Sequence, residues 1–268
     1  MRVFSAATRF GAVALSLTLL AGCASNDSAP SFDDGKYANT GERELYELAR
    51  DALDRNLYNT AIERLEALDT RYPFGNHAEQ AQLELVYAYY ENNKWEEARA
   101  AASRFIRLHP DHPQADYAHY LRGLAAWQAG RFSLERLRVI DISKRDLGAT
   151  QDAYNDFRDL LTRYPQSDYA PDARQRIVYL RELLARHELH AADYYLRRGA
   201  YVAAVKRGRW VLEHYPESNA TADAMATMVE GYQGLGMDDR AREVLKVLKD
   251  NAPDHKQLKN GAFKPKHL

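Results

Sequence analysis

Five prolines punctuate this chain at Pro73, Pro110, Pro165, Pro216 and Pro253, each at a fixed offset from the same kinds of residue. Twelve residues before them stand Ala61, Ala98, Ala153, Ala204 and Ala241, and seventeen before stand Asn56, Asn93, Gly148, Gly199 and Gly236. Five before come Leu68, Phe105, Leu160, Val211 and Leu248, and eight after the first four come Ala81, Ala118, Ala173 and Ala224. An aromatic, Tyr58, Trp95 or Tyr201, lies fifteen before three of them. A register kept this long is an internal repeat.

The offsets describe a helix hairpin. Gly or Asn just past a helix end takes the left-handed conformation that closes it, so the seventeen-before position ends a first helix. The alanine five residues later lets two helices approach closely, and the proline stops the second helix. One hairpin cannot cover its own apolar face, so neighbours must stack. The expected fold is all-α, a helix-hairpin solenoid of five repeats. The inward alanines, with Tyr89, Tyr195 and Tyr232 twenty-one before a proline and Leu48 and Leu85 twenty-five before, resemble the tetratricopeptide pattern. The spacing of 37 from Pro73 to Pro110 and again from Pro216 to Pro253 exceeds that family's 34. The excess is expected in the loop after the proline.

Residues 1–22 read as an export signal, with Arg2 and Arg9 ahead of an apolar run, Phe10 to Leu20, too short to span a membrane comfortably. The run ends Leu20-Ala21-Gly22-Cys23, similar to the lipobox of bacterial lipoproteins. That likeness implies an N-acyl and S-diacylglycerol lipid on Cys23, with no other cofactor, and Ala24 behind it favours the outer membrane, facing the periplasm. An ordinary cleaved signal is the alternative. Cys23 is the one cysteine of the 268 residues, so stability must come from helix packing rather than disulfides. A net charge of −1 gives no reason to expect nucleic acid.

Residues 23–41 read as a lipidated flexible tether and 42–128 as N-terminal repeats, opened by a stripe of Leu45, Leu48, Ala49 and Ala52. Pro110 to Pro165 spans 55 residues. The surplus falls at 129–148, an insertion expected to project as a loop. The C-terminal repeats fill 149–252, where a spacing of 51 predicts an added or prolonged helix around Asp172 to Arg198. The tail, 253–268, is basic and expected to fray.

In a tetratricopeptide-like solenoid the first helix of each hairpin lines the groove. The offsets place Tyr46, Tyr87, Tyr90, Tyr117, Tyr120 and Trp127 there, beside Arg43 and Arg50. Tyrosine gives large contact area at low entropy cost and keeps a hydroxyl for backbone groups, which suits an extended peptide. The competing reading is that these rings only pack between hairpins. In the later hairpins the same positions hold Asp193, Arg197, Asp223, Glu230 and Gln233, so the two halves are expected to serve different partners. Gly208, between Arg207 and Arg209, stands where other units hold Leu65, Ala102, Phe157 and Leu245. It is either a gap admitting another protein's carboxylates or a close helix crossing.

No catalytic or metal site is expected. His187-Glu188-Leu189-His190 sets its histidines three apart, where a zinc-protease helix needs four and a third ligand. Gly234 to Asp239 is a turn without the strand that a nucleotide loop follows. There is no G-x-S-x-G and no spare cysteine.

Lipobox, tether, five hairpins, Arg71-Tyr72-Pro73-Phe74-Gly75, Phe105-Ile106-Arg107-Leu108-His109-Pro110 and the insertion ending Asp141 to Asp146 together resemble the BamD (ComL/YfiO-type) family of outer-membrane assembly lipoproteins. The resemblance implies a non-catalytic scaffold of the β-barrel assembly (BAM) complex. Its implied partners are the periplasmic (POTRA) domain of BamA, other BAM lipoproteins and the C-terminal signal of unfolded outer-membrane proteins. It implies substrate contacts at Tyr72 and Arg107, and a BamA contact at Arg207; Arg197 and Arg209 join Arg207 as partner-binding candidates. The rival reading is an outer-membrane lipoprotein adaptor that binds peptidoglycan or organises cell-wall enzymes, which sedimentation with isolated sacculi would reveal.

Overall fold

The structure is a computed structural model and describes residues 35–130, 143 and 146–268. Cys23, the export signal and most of the insertion lie outside the described residues. The described residues divide between two units at Ala38 and Asn39. Of the first, Gly35–Ala38 make a turn closed by the Ala38 N–H on the Gly35 carbonyl.

The second unit holds ten helices among the described residues, α1 (Glu42–Asp54), α2 (Tyr58–Arg71), α3 (Ala78–Glu91), α4 (Trp95–Leu108), α5 (Ala115–Ala129), α6 (Gly148–Arg163), α7 (Ala170–Arg197), α8 (Tyr201–His214), α9 (Thr221–Gly234) and α10 (Asp238–Asn251). They pair in sequence as five antiparallel hairpins, and each second helix also packs on the next first helix. First helices touch one another, α3 on α5 and α7 on α9, to an extent no two second helices match. The closer approach on that side makes the first helices the inner layer. The architecture is the expected tetratricopeptide-like solenoid.

Four of the five hairpin turns share one geometry. Asn56, Asn93, Gly199 and Gly236 have φ of 57°, 60°, 70° and 67°. At each, its own N–H reaches back three residues and the following N–H reaches back five, as Leu57 to Ala52 at 2.8 Å and Met237 to Tyr232 at 2.9 Å. This double closure satisfies carbonyls that a helix end would leave orphaned. Gly148 does not belong to the set. It is the first residue of α6, with its N–H on Asp146 Oδ1 at 3.0 Å. The insertion separates it from the end of α5 at Ala129, so it has no helix to close.

Second helices end two residues before their prolines, and the intervening residue leaves helical space, as at His109 (φ −130°) and Tyr215 (φ −131°). The alanines twelve before the prolines and eight after them are buried, as are Leu68, Phe105, Leu160, Val211 and Leu248. Of the first stripe, Leu45, Ala49 and Ala52 are buried while Leu48 is half-exposed. A continuous core runs from Val86 to Ala224, so hairpins two to five share one apolar interior.

The surplus in the fourth unit is a prolonged helix, α7, of 28 residues. Within the insertion Ser143 is buried and its carbonyl accepts from His187 Nδ1 at 2.7 Å. His187 is thus a structural donor, and among the described residues no cluster of His, Cys, Asp or Glu could hold a metal ion. None of the described helices is long and apolar enough to cross a membrane.

The tail is the largest departure from expectation, since it is folded rather than frayed. After Pro253 it forms a turn and a two-residue β-ladder, β1 (Leu258–Lys259) with β2 (Ala262–Phe263). Leu258 and Phe263 pack against Met225, Ala226 and Leu248 at the open end of hairpin five. The apolar face of a hairpin needs a neighbour to cover it, and for hairpin five the β-turn does so.

Candidate functional site

The inner face of hairpins one to three is built by α1, α3 and α5. At its centre Glu84, nearly buried, takes three donors on one carboxylate oxygen: Arg50 Nη1 at 2.7 Å, Tyr46 Oη at 3.0 Å and Gln80 Nε2 at 3.0 Å. A buried carboxylate is tolerated only when paired and hydrogen-bonded, which the arginine and tyrosine supply. Above it opens a cavity of about 230 Å³ lined by Arg50, Asp54, Leu83, Glu84, Tyr87 and Tyr117. All three helices contribute, so the cavity exists only because the hairpins stack.

The predicted rings are half-buried and braced by neighbours. Tyr46 stacks on His77 at 4.6 Å and Tyr87 meets Tyr58 edge-on at 6.3 Å. Tyr90 leans on Trp95 at 5.5 Å, while Tyr117 and Tyr120 both pack against Tyr169. Trp127 carries the Arg176 guanidinium over its face at 5.0 Å and meets Tyr179 edge-on. Tyr87, Tyr90, Tyr117, Tyr120 and Trp127 all pack against the core shared by the hairpins, and of the six rings Tyr87 and Tyr117 also line the cavity. Burial, helped by the Tyr58 hydroxyl, pushes Tyr87 up to about 12. Burial and the bond to Asp172 push Tyr120 up to about 12, so both hydroxyls remain donors.

Tyr72 and Arg107 lie elsewhere. Tyr72 follows α2, and its hydroxyl donates to the Thr40 carbonyl at 2.9 Å, tying down the approach to α1. Arg107 is exposed near the end of α4, in the outer layer. Neither joins the tyrosines of the inner face. Sequence reasoning missed Glu84, Asp172 and Arg176, which organise that face. The one signal for Glu84 was an acid inside the apolar run Leu83-Glu84-Leu85-Val86.

A charge network joins hairpins two and three. Arg99 on α4 bonds Asp152 at 2.9 Å, and Arg122 on α5 reaches Asp156 at 2.9 Å and Asp159 at 3.1 Å on α6. Beside it His119 is buried 3.3 Å from Asp159. Burial and the Arg122 charge lower His119 to about 4 against the pull of Asp159, so it is neutral at physiological pH.

The later inner face is acidic, and its acids are taken by the chain's own tail. Asp223 receives His255 Nε2 at 2.9 Å and Lys256 Nζ at 2.7 Å. Asp193 receives Lys266 Nζ at 2.5 Å and His267 Nε2 at 2.9 Å, and also pairs with Arg197 at 3.2 Å. The expected charged character is present, but the opposite charge comes from the same chain, about thirty residues along for Asp223 and about seventy for Asp193.

Of the two readings of Gly208, the close crossing holds. A Cβ there would lie 2.8 Å from Met228 Cγ and 2.9 Å from the Ala224 carbonyl, so the missing side chain is a close crossing of α8 on α9. Arg207 points to α7, bonding Glu188 at 2.7 Å, and Arg209 points to α9, bonding the Tyr232 hydroxyl at 3.0 Å. Arg197 lies at the end of α7 on the inner side. The three arginines do not share one surface.

Residues 38–248 match the family model YfiO, described as an outer membrane lipoprotein. Relatives named outer membrane protein assembly factor BamD are 39% identical in Xylella fastidiosa strain 9a5c, over 90% of this chain and 81% of the relative. In Vibrio cholerae identity is 40%, over 88% and 95%; in Neisseria meningitidis serogroup A it is 40%, over 78% of each. The hairpin register, the aromatic inner face and this agreement over most of the described solenoid lead to one assignment: the chain belongs to the YfiO family of outer membrane lipoproteins.

Proposed function

We propose that this chain is a lipid-anchored, periplasm-facing scaffold of the outer-membrane β-barrel assembly complex, acting by binding and alignment with no bond chemistry. The relatives' name supports the assembly role. In this reading Cys23 carries the lipid. The inner face of hairpins one to three receives the C-terminal signal of unfolded outer-membrane proteins, and hairpins four and five dock the periplasmic domain of BamA through the Arg207 side of α8, alongside other BAM lipoproteins.

The observation that carries the substrate assignment is the open cavity between α1, α3 and α5. It offers ring faces from Tyr87 and Tyr117, a cation from Arg50 and acceptors from Asp54 and Glu84. Aromatic walls with a few polar groups on the floor suit an extended peptide ending in an aromatic residue. Tyr87→Ala with Tyr117→Ala should weaken binding of such a peptide about tenfold, roughly 1.4 kcal/mol, with helicity unchanged. An unaltered affinity removes the cavity from the binding site. Arg207→Gln should release BamA in a pull-down and leave peptide affinity intact; co-purification at the wild-type level would end the division of labour between the halves.

A further inference from the structure

The tail has two parts with different physics. Pro253 to Phe263 closes the solenoid through apolar contacts of Leu258 and Phe263. The segment Lys264 to Leu268 leaves that cap at Lys264, whose N–H still donates to the Gln257 carbonyl at 2.8 Å, and runs onto the inner face, where Lys266 and His267 bond α7 and α9. Pro265 holds it extended together with Lys264 before it. The next two backbone N–H groups donate to one carboxylate: Lys266 N to Glu230 Oε2 at 2.8 Å and His267 N to Glu230 Oε1 at 2.5 Å. Their side chains converge on Asp193. Glu230 is 1% exposed on a helix otherwise lined with Met225, Met228 and Val229, a costly place for a carboxylate. Gln257 Nε2 also donates to Glu230 Oε2, at 3.3 Å. Burial works against Asp193 ionising, yet Lys266 and His267 hold its carboxyl below the usual carboxylate range.

We propose that Glu230 and Asp193 form a second peptide clamp, on the inner face of hairpins four and five, for an extended basic segment of another protein. The tail segment is its resident occupant. Glu230 reads two successive main-chain N–H groups and is indifferent to sequence, whereas Asp193 selects a cation beside them. This division is how extended peptides are held, with backbone bonds for grip and side chains for choice. The resident segment does not fill the site: an open cavity of about 490 Å³ remains beside it, with Leu189 and Leu196 among its walls. Its lysine is also solvent-facing, with the Lys266 side chain 61% exposed, so that ion pair is screened and exchangeable. The family match spans residues 38–248, so Asp193 and Glu230 lie within the matched span and the tail segment lies outside it. Access of a partner is then a competition with a tethered ligand, whose effective concentration is of millimolar order.

The test uses the full chain and a fluorescent peptide, AFKPKHL, copied from residues 262–268. The chain carrying Lys266→Glu and His267→Glu expels its own segment by repulsion from Asp193 and Glu230. It should bind the peptide about tenfold or more tightly than the unsubstituted chain does. Methylating the peptide nitrogen that matches the His267 N–H should weaken binding about tenfold, because one charge-assisted bond is lost. Adding Asp193→Asn should weaken it as well. A milder release, Lys266→Ala with His267→Ala, repeats the comparison should the doubly charged tail disturb the cap, with circular dichroism checking both chains. Equal affinity with and without tail substitution, indifference to N-methylation, or no binding up to about 5 mM would each overturn the clamp. None of these outcomes bears on the cavity of hairpins one to three.

Discussion

The two inner faces are made by the same device and end in opposite states. In hairpins one to three, rings braced from behind leave an open cavity over a carboxylate whose Oε1 is held by Arg50, Tyr46 and Gln80 while its Oε2 has no hydrogen-bond partner among the described residues. In hairpins four and five the carboxylates Asp193, Asp223 and Glu230 are satisfied by a segment from outside the hairpins. A hairpin register sets where inward residues stand, and side-chain chemistry sets whether that surface stays open. Aromatic faces support themselves by stacking, whereas clustered acids need cations and take the nearest ones.

The sharpest way to break the comparison is to separate the halves by stability. Gly208→Leu drives four carbons into Met228 and the Ala224 carbonyl. It should cost about 3 kcal/mol or more in urea unfolding. If the halves are braced independently, AFKPKHL binding to the tail-released chain should vanish while peptide binding at the Tyr87 cavity persists.

Acid probes the seam between hairpins two and three. His119 titrates at 6.5 when unfolded and at about 4 in the fold. Between those values the unfolded chain binds the extra proton, so this group's contribution is complete above pH 6.5 and is lost as pH falls toward 4. At pH 5 the loss is about 2 kcal/mol relative to pH 7, and His119→Gln should flatten that part of the profile. A slope unchanged by the substitution would place the titration elsewhere.

Smaller effects sharpen the contrast. Tyr120→Phe removes the 2.8 Å bond to Asp172 but keeps the stacking on Tyr169. It should cost about 1 kcal/mol in thermal or urea unfolding. Lys266→Ala should change global stability by less than about 0.5 kcal/mol, since its ion pair is exposed, while faster hydrogen exchange appears at Lys266 and His267. A large global loss would make the distal tail part of the core.

Much of the hairpin plan was legible because it rests on local chemistry. Asn56, Asn93, Gly199 and Gly236 announce positive φ, the prolines announce helix ends, and a twelve-residue offset needs only helical geometry to bury an alanine. Gly148 shows the limit, since the same letter in the same place has no role once an insertion removes the preceding helix. At the site, the ring positions followed from the register, but Glu84, Asp172 and Arg176 did not, because their partners lie on other hairpins. Gly208 read equally as a gap or a crossing until Met228 was seen against it.

By itself, then, the sequence determined the number of hairpins, their turns and which residue types face inward, because each depends on neighbours within a few helical turns. Only the tertiary structure decided what those inward residues meet. The tail's lysines and histidines, thirty to seventy residues from Glu230 and Asp193, reach them through stacking of whole hairpins. Contacts between distant segments depend on the summed geometry of every repeat between them, which no local pattern encodes.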